Sequence, residues 1–455
     1  MGLVTGQLRL IVFHPHILSL RPGKMPRVDP GRWQYGRMTG TPPPPGTRTF
    51  RLRRMTGRDP NEVHRAATPL ELLFDLTFVV AFGIAADQFA HLIAVGHLGE
   101  GLLGFSFAIF AICWAWINFT WFASAFDTDD WFYRVTTMVQ MVGVIVLALG
   151  LPALFHSLES GEHVDNRVVV AGYVVMRVAL VVQWLRAAKQ DPERRSVALA
   201  YAKLVSIAQV GWIALAILDL PTGYAILGSV VLLVVECAAP VIAERRGGGT
   251  PWHPHHIAER YGLLTIIALG EVILGTVTSV SALVDRQGWS GEVILVVVAG
   301  VGLALGIWWV YFMLPSGDLL KRHRNRGFVW GYAHIVVFGA ITAMGAGLHV
   351  VAYVIEGDAE VGVLGAILAV AIPVAVFTIA ALLIYAYLFR ENDPFHILLF
   401  MGTLVVLGLA VVLAASGASI GVCLVVLTLA PAVPVVGFET VGNRRQVAAL
   451  ERALR

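Results

Sequence analysis

The sequence contains very little charge for its length. Of its 455 residues, 14% are Asp, Glu, Lys or Arg, whereas 57% are hydrophobic. Soluble domains carry about 25% charged residues and roughly 45–50% apolar ones. The mean hydropathy of +0.74 points the same way. This composition argues against a soluble enzyme and favours a membrane protein.

Cysteine is also scarce, and the three cysteines, Cys113, Cys237 and Cys423, lie far apart inside apolar runs. A disulfide framework or a thiolate zinc site is therefore not expected. The sequence lacks a Walker-type phosphate loop and a Gly-x-Ser-x-Gly nucleophile elbow. Its basic residues do not form a nucleic-acid module. We accordingly expect no cofactor, no metal site, no nucleic-acid partner and no enzymatic activity.

Long apolar runs are what the sequence has in abundance. A helix of about 20 apolar residues crosses the hydrocarbon core of a bilayer. These runs predict an all-α integral membrane protein of the plasma membrane, with the lipid bilayer as its partner. The predicted spans are 70–93, 98–125, 131–156, 167–187, 197–219, 221–243, 258–283, 290–314, 328–355, 361–388, 395–416 and 418–438.

Lys and Arg are concentrated in alternate loops of this pattern. Twelve of them lie within residues 1–69, and others follow spans 4, 6, 8 and 12. The loops of the other side contain only Arg167 and Arg286. Because basic loops remain in the cytoplasm, both chain termini are predicted to be cytoplasmic. The acidic loop at residues 127–130 is an exception, but acidic residues contribute little to this rule.

The ends of the chain differ from its apolar body. Residues 1–60 are rich in Pro and Arg and are predicted to be a disordered leader; a native start near Met38 or Met55 is an open alternative. Residues 61–440 are predicted to form the membrane domain, and residues 441–455 a cytoplasmic tail. The halves 68–243 and 255–438 each contain six spans, so two parallel repeats are possible.

Ionisable residues inside the spans are candidates for function, because each costs at least about 2.5–3.5 kcal/mol to insert. In span 1, Glu71 with Asp75 and Asp87 with His91 form two pairs spaced four residues apart. The step from Asp75 to Asp87 corresponds to about 18 Å along a helix, so the pairs lie near opposite ends of the span. A capping box with Thr68 accounts for Glu71 but not for Asp75. For Asp75, an ion-conducting role and a structural ion pair are both open.

Three further spans contain buried charge. Glu271 falls near the middle of span 7, and Arg177 falls near the middle of span 4. The two would form either a structural pair or a gated pair lining a pathway. Glu236 in span 6 has no evident partner in the sequence. Because deep acids outnumber deep bases, any pathway is expected to favour cations or protons.

The charged stretches 68–79 and 255–271 resemble the two signatures of the low temperature requirement protein A (LtrA) family. The resemblance extends from residue 58 to about residue 440. It implies a polytopic bacterial membrane protein but no established substrate or reaction. The residues that carry it are Glu71, Phe74, Asp75, Glu259, Arg260 and the ending Leu269-Gly270-Glu271.

Two functional hypotheses follow from these patterns. The first is a secondary transporter or a proton- or cation-coupled permease for a small ion or solute. The second is a non-transporting sensor, or a structural or lipid-associated factor, whose buried charges fix helix packing. They differ in whether the deep charges line a water-accessible cavity or are sealed in pairs. The predicted pathway residues are Glu71, Asp75, Asp87, His91, Arg177, Glu236, Glu259, Arg260 and Glu271.

Overall fold

Among the residues that the computed structural model describes, twelve helices are long and apolar enough to cross a membrane. The structure describes residues 52–62, 65–161, 163–390 and 393–454. Within these residues there is no β-strand. The predicted all-α, multi-pass fold is therefore confirmed. Of the predicted leader, residues 1–51 lie outside the described residues, and residues 52–60 make contacts given below.

The helices follow one another through short connections. Their bounds are α1 Pro69–Ala94, α2 Leu98–Phe126, α3 Trp131–Ser160, α4 Arg167–Gln190, α5 Arg195–Ile217, α6 Thr222–Glu244, α7 Pro254–Gln287, α8 Gly291–Phe312, α9 Ser316–Arg322, α10 Gly327–Glu356, α11 Val363–Phe389, α12 Pro394–Ala415, α13 Ile420–Gly437 and α14 Asn443–Leu454.

The predicted spans agree with these helices to within three residues, except at the end of α3, which extends four residues beyond the predicted span, and at both ends of α7. That helix begins four residues before the predicted span and ends four residues after it. Its first turn contains polar residues, which a prediction based on apolar runs leaves outside the span. The helix starts where the His253 side chain accepts a hydrogen bond from the His256 backbone N–H. The short helix α9 and the polar helix α14 were not predicted for the same reason.

The loops rich in Lys and Arg meet at one end of the helix bundle, which we call the basic end. Residues 52–62 cross this end as an extended segment, which we call the strap. The Arg58 N–H donates to the Ala125 carbonyl, the Met55 N–H to the Gln190 side chain, and the Gly57 N–H to Asp191. Met55 is fully buried. The assignment of this end to the cytoplasm and the division into two repeats stay predictions.

The helix α10 is the most buried span and packs against α1, α2, α7 and α11. Its contact with α7 is unusually close because glycine occupies the interface. A Cβ atom added to Gly345 would lie 2.7 Å from the backbone of Glu271, and one added to Gly275 would lie 2.6 Å from the Gly345 carbonyl oxygen. Small residues permit such close approach of membrane helices. This packing fixes Glu271 in the centre of the bundle.

Candidate functional site

Arg260 on α7 lies between two carboxylates of α1 near the basic end. Its Nη1 is 3.1 Å from Oε1 of Glu71, and its Nη2 forms an ion pair with Oδ1 of Asp75. All three side chains are fully buried. We call these three residues, together with Arg65 and His256, the Arg260 cluster. The structure thus brings together three of the predicted pathway residues as a sealed ion-pair network.

Local sequence explains how the cluster is positioned. Thr68 and Glu71 form the predicted capping box, since each accepts a hydrogen bond from the backbone N–H of the other. Asp75 lies one turn further along the same face of α1. His256 and Arg260 are likewise four residues apart on α7. Two short polar faces therefore meet across the α1–α7 interface.

The helix α2 completes the network around Asp75 and Arg260. The Trp116 indole N–H donates to Oδ1 of Asp75 at 2.7 Å, and Arg260 donates to the Thr120 hydroxyl at 3.3 Å. The Trp116 and Phe119 rings lie 5.7 and 5.9 Å from the guanidinium carbon, within cation–π range. These partners were not predicted, because the sequence pattern assigns tryptophan to the membrane interface rather than to a buried hydrogen bond.

Glu71 has further partners besides Arg260. Its carboxylate is 3.2 Å from His256 Nε2 and 3.8 Å from Arg65 Nη2. The cluster therefore pairs two carboxylates with two guanidinium groups and is close to neutral overall. Within the described residues, Oδ2 of Asp75 has no hydrogen-bond partner. Neutrality makes the cluster suited to holding helices together in a low-dielectric interior.

Asp127 links the cluster to the strap. Its Oδ2 is 3.9 Å from a guanidinium nitrogen of Arg65 and 3.9 Å from one of Arg58. Burial raises the pKa of Asp127 to about 6, and the nearby negative charge of Glu71 adds to this shift. Asp127 thus changes charge near neutral pH at the point where the strap covers the cluster.

A second sealed pair lies between α4 and α6. Arg177 Nη2 is 2.9 Å from Oε2 of Glu236, and both side chains are buried. The indole N–H groups of Trp114 and Trp212 donate to the same carboxylate at 2.8 and 3.3 Å. The expectation that Arg177 pairs with Glu271 is therefore wrong, because the neighbouring helix α6 already supplies an acid. Glu236, which had no evident partner in the sequence, has three.

Glu271 is the deep acid that remains without an ion pair among the described residues. It is buried, and its Oε2 has no hydrogen-bond partner in the described part of the chain. Gly83 on α1 leaves space for the carboxyl group, since a Cβ added there would lie 3.2 Å from Oε1. Asp87, one turn further along α1, interacts electrostatically with Glu271 and with His349 on α10.

Asp87 also lines a cavity of about 370 Å³ at the end of the bundle opposite the basic end. The last turns of α1, α3 and α10 form this cavity, which we call the vestibule. Asp87 and His91, which the sequence predicted to form a pair, both line it, beside His156, Glu159 and Tyr353. A polar cavity of this size holds many water molecules. Water therefore reaches Asp87, which lies next to Glu271.

The remaining predicted pathway residue, Glu259, lies outside these sites. It is exposed at the start of α7, and its carboxylate accepts a hydrogen bond from the Ala67 N–H at 3.3 Å. Its neighbour in sequence, Arg260, points in a different direction because successive helical residues are about 100° apart. The structure therefore assigns Glu259 to the strap side of the bundle and not to its interior.

Comparison with known proteins gives a consistent result. Residues 66–431 match the family model described as bacterial low temperature requirement A protein (LtrA). The match covers α1 to most of α13 and so includes Glu71, Asp75, Arg260 and Glu271. The chain is also 26% identical over 292 residues to an uncharacterized protein of Rhizobium meliloti (strain 1021), an alignment that spans 60% of this chain and 67% of that protein.

Replacing Arg260 by glutamine is expected to destabilise the fold by about 3–5 kcal/mol, because it leaves the buried Asp75 without its cation and leaves Glu71 with only Arg65 and His256. Thermal unfolding of the purified protein in detergent measures this change. The control is Arg167→Gln, which breaks an exposed pair with Asp165 and is expected to cost at most about 1 kcal/mol. Equal unfolding temperatures for the two variants would contradict a stabilising role for Arg260.

The stability of the protein is expected to depend on pH through Asp127. Its pKa is raised on folding from 3.8 to about 6, so the folded state favours the neutral acid. Its stabilising contribution is present below pH 4 and is lost as pH rises through about 6, a change of roughly 3 kcal/mol at most. The free energy of unfolding, measured from pH 4.5 to 7.5, should therefore decrease more steeply with pH for the wild type than for Asp127→Asn. Parallel curves would show that Asp127 has an ordinary pKa.

Proposed function

We propose that this chain, which belongs to the bacterial low temperature requirement A family, is a secondary transporter coupled to protons or small cations. We further propose that it has no enzymatic activity and lies in the plasma membrane with its basic end in the cytoplasm. Family membership supports the membrane location but supplies no substrate. The transport proposal depends on the deep charges of α1 and α7.

The observation that carries the proposal is the environment of Glu271. Its carboxyl group lies in the middle of a span with no ion-pair partner among the described residues. It faces Gly83 of α1, one helical turn before Asp87, which lines the vestibule. An ionised carboxylate without a counter-charge is costly in a membrane interior. Glu271 lowers that cost by binding a proton or a small cation. Such a carboxyl group, reached from one side of the membrane, is suited to carry a coupling ion.

The proposed ion path leads from the vestibule past Asp87 and ends at Glu271. Between Glu271 and Arg260 the helix α7 extends for eleven residues, about 16 Å. The fully buried side chains in this interval are mostly apolar; they include Phe78 and Phe82 of α1, Leu264 of α7, and Phe338 and Ile341 of α10. The buried hydroxyl of Thr265 donates to the Tyr261 carbonyl. This apolar layer separates Glu271 from the Arg260 cluster. The arrangement supports a transporter open to the vestibule side and closed at the basic end.

In the proposed cycle, the Arg260 cluster and the strap form the closed gate at the basic end. Access from that side requires the α1–α7 interface to open near Asp75. The ion pairs among Arg260, Asp75 and Glu71 would then be exchanged for water or for transported ions. Asp75 thus has a role in gating, whereas Glu271 has the role of binding the ion.

The second candidate function is a non-transporting sensor or structural factor. The sealed pairs Asp75–Arg260 and Arg177–Glu236 favour it, because both are buried ion pairs that join neighbouring helices. In that case the charges fix helix positions and the vestibule binds no transported ion. The two candidates differ in what the neutral variant of Glu271 does to transport compared with stability.

Replacing Glu271 by glutamine is expected to reduce proton-coupled flux at least about tenfold while the protein remains folded, since glutamine preserves shape but binds no proton. The measurement uses proteoliposomes with an internal pH-sensitive dye and imposed gradients of H⁺, Na⁺ and K⁺. The matched control is Glu259→Gln, a change of the same chemistry on the exposed side of α7.

Two results would contradict the transport proposal. One is wild-type protein that moves no more H⁺, Na⁺ or K⁺ than empty liposomes under any of the imposed gradients. The other is an unchanged flux per folded molecule in Glu271→Gln. A Glu271→Gln variant with a lower unfolding temperature and lower abundance, but an unchanged flux per folded molecule, would support the structural candidate.

A further inference from the structure

An apolar cavity of about 110 Å³ lies near the basic end, in the C-terminal half of the bundle. It is separate from the vestibule, which the last turns of α1, α3 and α10 form at the opposite end. The ends of α8, α11 and α13 and the start of α12 enclose it, with α10 behind. The apolar side chains that line it include Leu314, Val337, Phe377, Leu382 and Leu399.

The cavity suits hydrocarbon better than water. Apolar cavities stay dry, and one of about 150 Å³ in another protein takes up benzene. The helices α11 and α12 that border it have exposed apolar outer faces, including Leu383 and Leu398. Acyl chains of the surrounding bilayer are therefore the apolar molecules nearest to it. Its position close to the ends of five spans matches the upper part of an acyl chain, next to the lipid headgroup.

The helix α14 lies beside this cavity and places basic residues at its edge. Gln446 lines the cavity and donates to the Met313 carbonyl at 2.8 Å. The preceding residue, Arg445, is half exposed, pairs with Asp393 at 3.0 Å and lies 5.0 Å from the Phe395 ring. Phe395 adjoins His396, which also lines the cavity. Arg445 thus holds a partly exposed positive charge within one residue of the cavity wall.

The surroundings of α14 are basic as a whole. α14 packs against the short helix α9 and against α11. These elements contribute Lys321, Arg322, Arg444, Arg445 and Arg452, together with Arg390 at the end of α11. Their acidic neighbours Asp318, Asp393, Glu439 and Glu451 are fewer. Basic clusters at the cytoplasmic ends of membrane helices attract anionic lipid headgroups.

We propose that this cavity and the edge of α14 form a binding site for an anionic phospholipid. One acyl chain enters the cavity between α8, α11, α12 and α13, and the phosphate lies beside Arg445. Hydrocarbon complementarity inside and positive charge at the mouth specify the two parts of such a molecule. The site is independent of transport, since it contains none of the pathway residues.

The test is native mass spectrometry of the full-length protein in detergent, titrated with dioleoyl phosphatidylglycerol or dioleoyl phosphatidylcholine. The two lipids have the same acyl chains and differ in headgroup charge. The expected result is at least one phosphatidylglycerol molecule bound about fivefold more tightly than phosphatidylcholine, the effect of roughly one basic residue. Equal affinity for the two lipids would overturn the headgroup assignment.

Matched variants locate the site. Arg445→Gln is expected to weaken phosphatidylglycerol binding about fivefold, whereas Arg444→Gln, with the same change in net charge one residue away, should have a smaller effect. Equal effects would indicate attraction to the basic surface in general and overturn the site.

The cavity itself is tested by Ala381→Phe, which fills it, compared with Leu383→Phe on the lipid-facing side of the same helix. Loss of tight binding only in Ala381→Phe supports an acyl chain in the cavity, and equal binding by both variants overturns it. If Ala381→Phe does not fold, as judged by thermal unfolding, Ala381→Leu fills less of the cavity and provides the same comparison.

Discussion

The Arg260 guanidinium lies between Glu71 and Asp75 with no exposed surface, and its charge holds α7 against α1. The same group contacts α2 through Thr120 and the Trp116 ring. The single cation of Arg260 therefore fixes the positions of three spans, α1, α2 and α7, relative to one another. A buried carboxylate pair without that cation would be strongly destabilising. The placement of everything further along α1 and α7, including Gly83 opposite Glu271, follows from this contact near their first turns.

The helices α1 and α7 thus carry buried carboxyl groups in two different environments, one paired with a cation and the other without an ion pair among the described residues. Near the basic end, Asp75 is compensated by Arg260 and by the Trp116 indole. Near the middle, Glu271 has the space that Gly83 leaves and the close approach that Gly345 permits, but no cation among the described residues. The close contact between α7 and α10 leaves no room for a longer side chain at Gly275 or Gly345, so neither position can supply a cation to Glu271.

The sequence was sufficient for the features that depend on local pattern. Twelve spans follow from the length and hydropathy of apolar runs, and the capping box at Thr68 and Glu71 follows from a three-residue spacing. Partners of buried charges follow from tertiary packing, so Arg177 was assigned to Glu271 although Glu236 of α6 lies beside it. The indole donors Trp114 and Trp116 were missed, because tryptophan in a membrane sequence is typical of the interface. Arg65 and His256 lie outside the predicted spans and are not among the predicted pathway residues, although His256 shares a helix face with Arg260.

The difference between paired and unpaired charge is what favours an ion-binding role for Glu271 over a structural one. A sealed pair such as Arg177–Glu236 contributes to helix packing, and its desolvation is offset by attraction and hydrogen bonds. Glu271 is buried to a similar degree but obtains neither compensation from the described residues. A leucine at this position would pack without that cost, so the carboxyl group has no structural advantage. Asp87, which interacts electrostatically with Glu271, lines the vestibule at one end of the bundle. A buried charge without a partner, next to a residue that lines a polar cavity, is suited to bind a mobile ion. This is the physical basis of the role proposed for Glu271, for which the sealed pairs around it would supply a rigid frame.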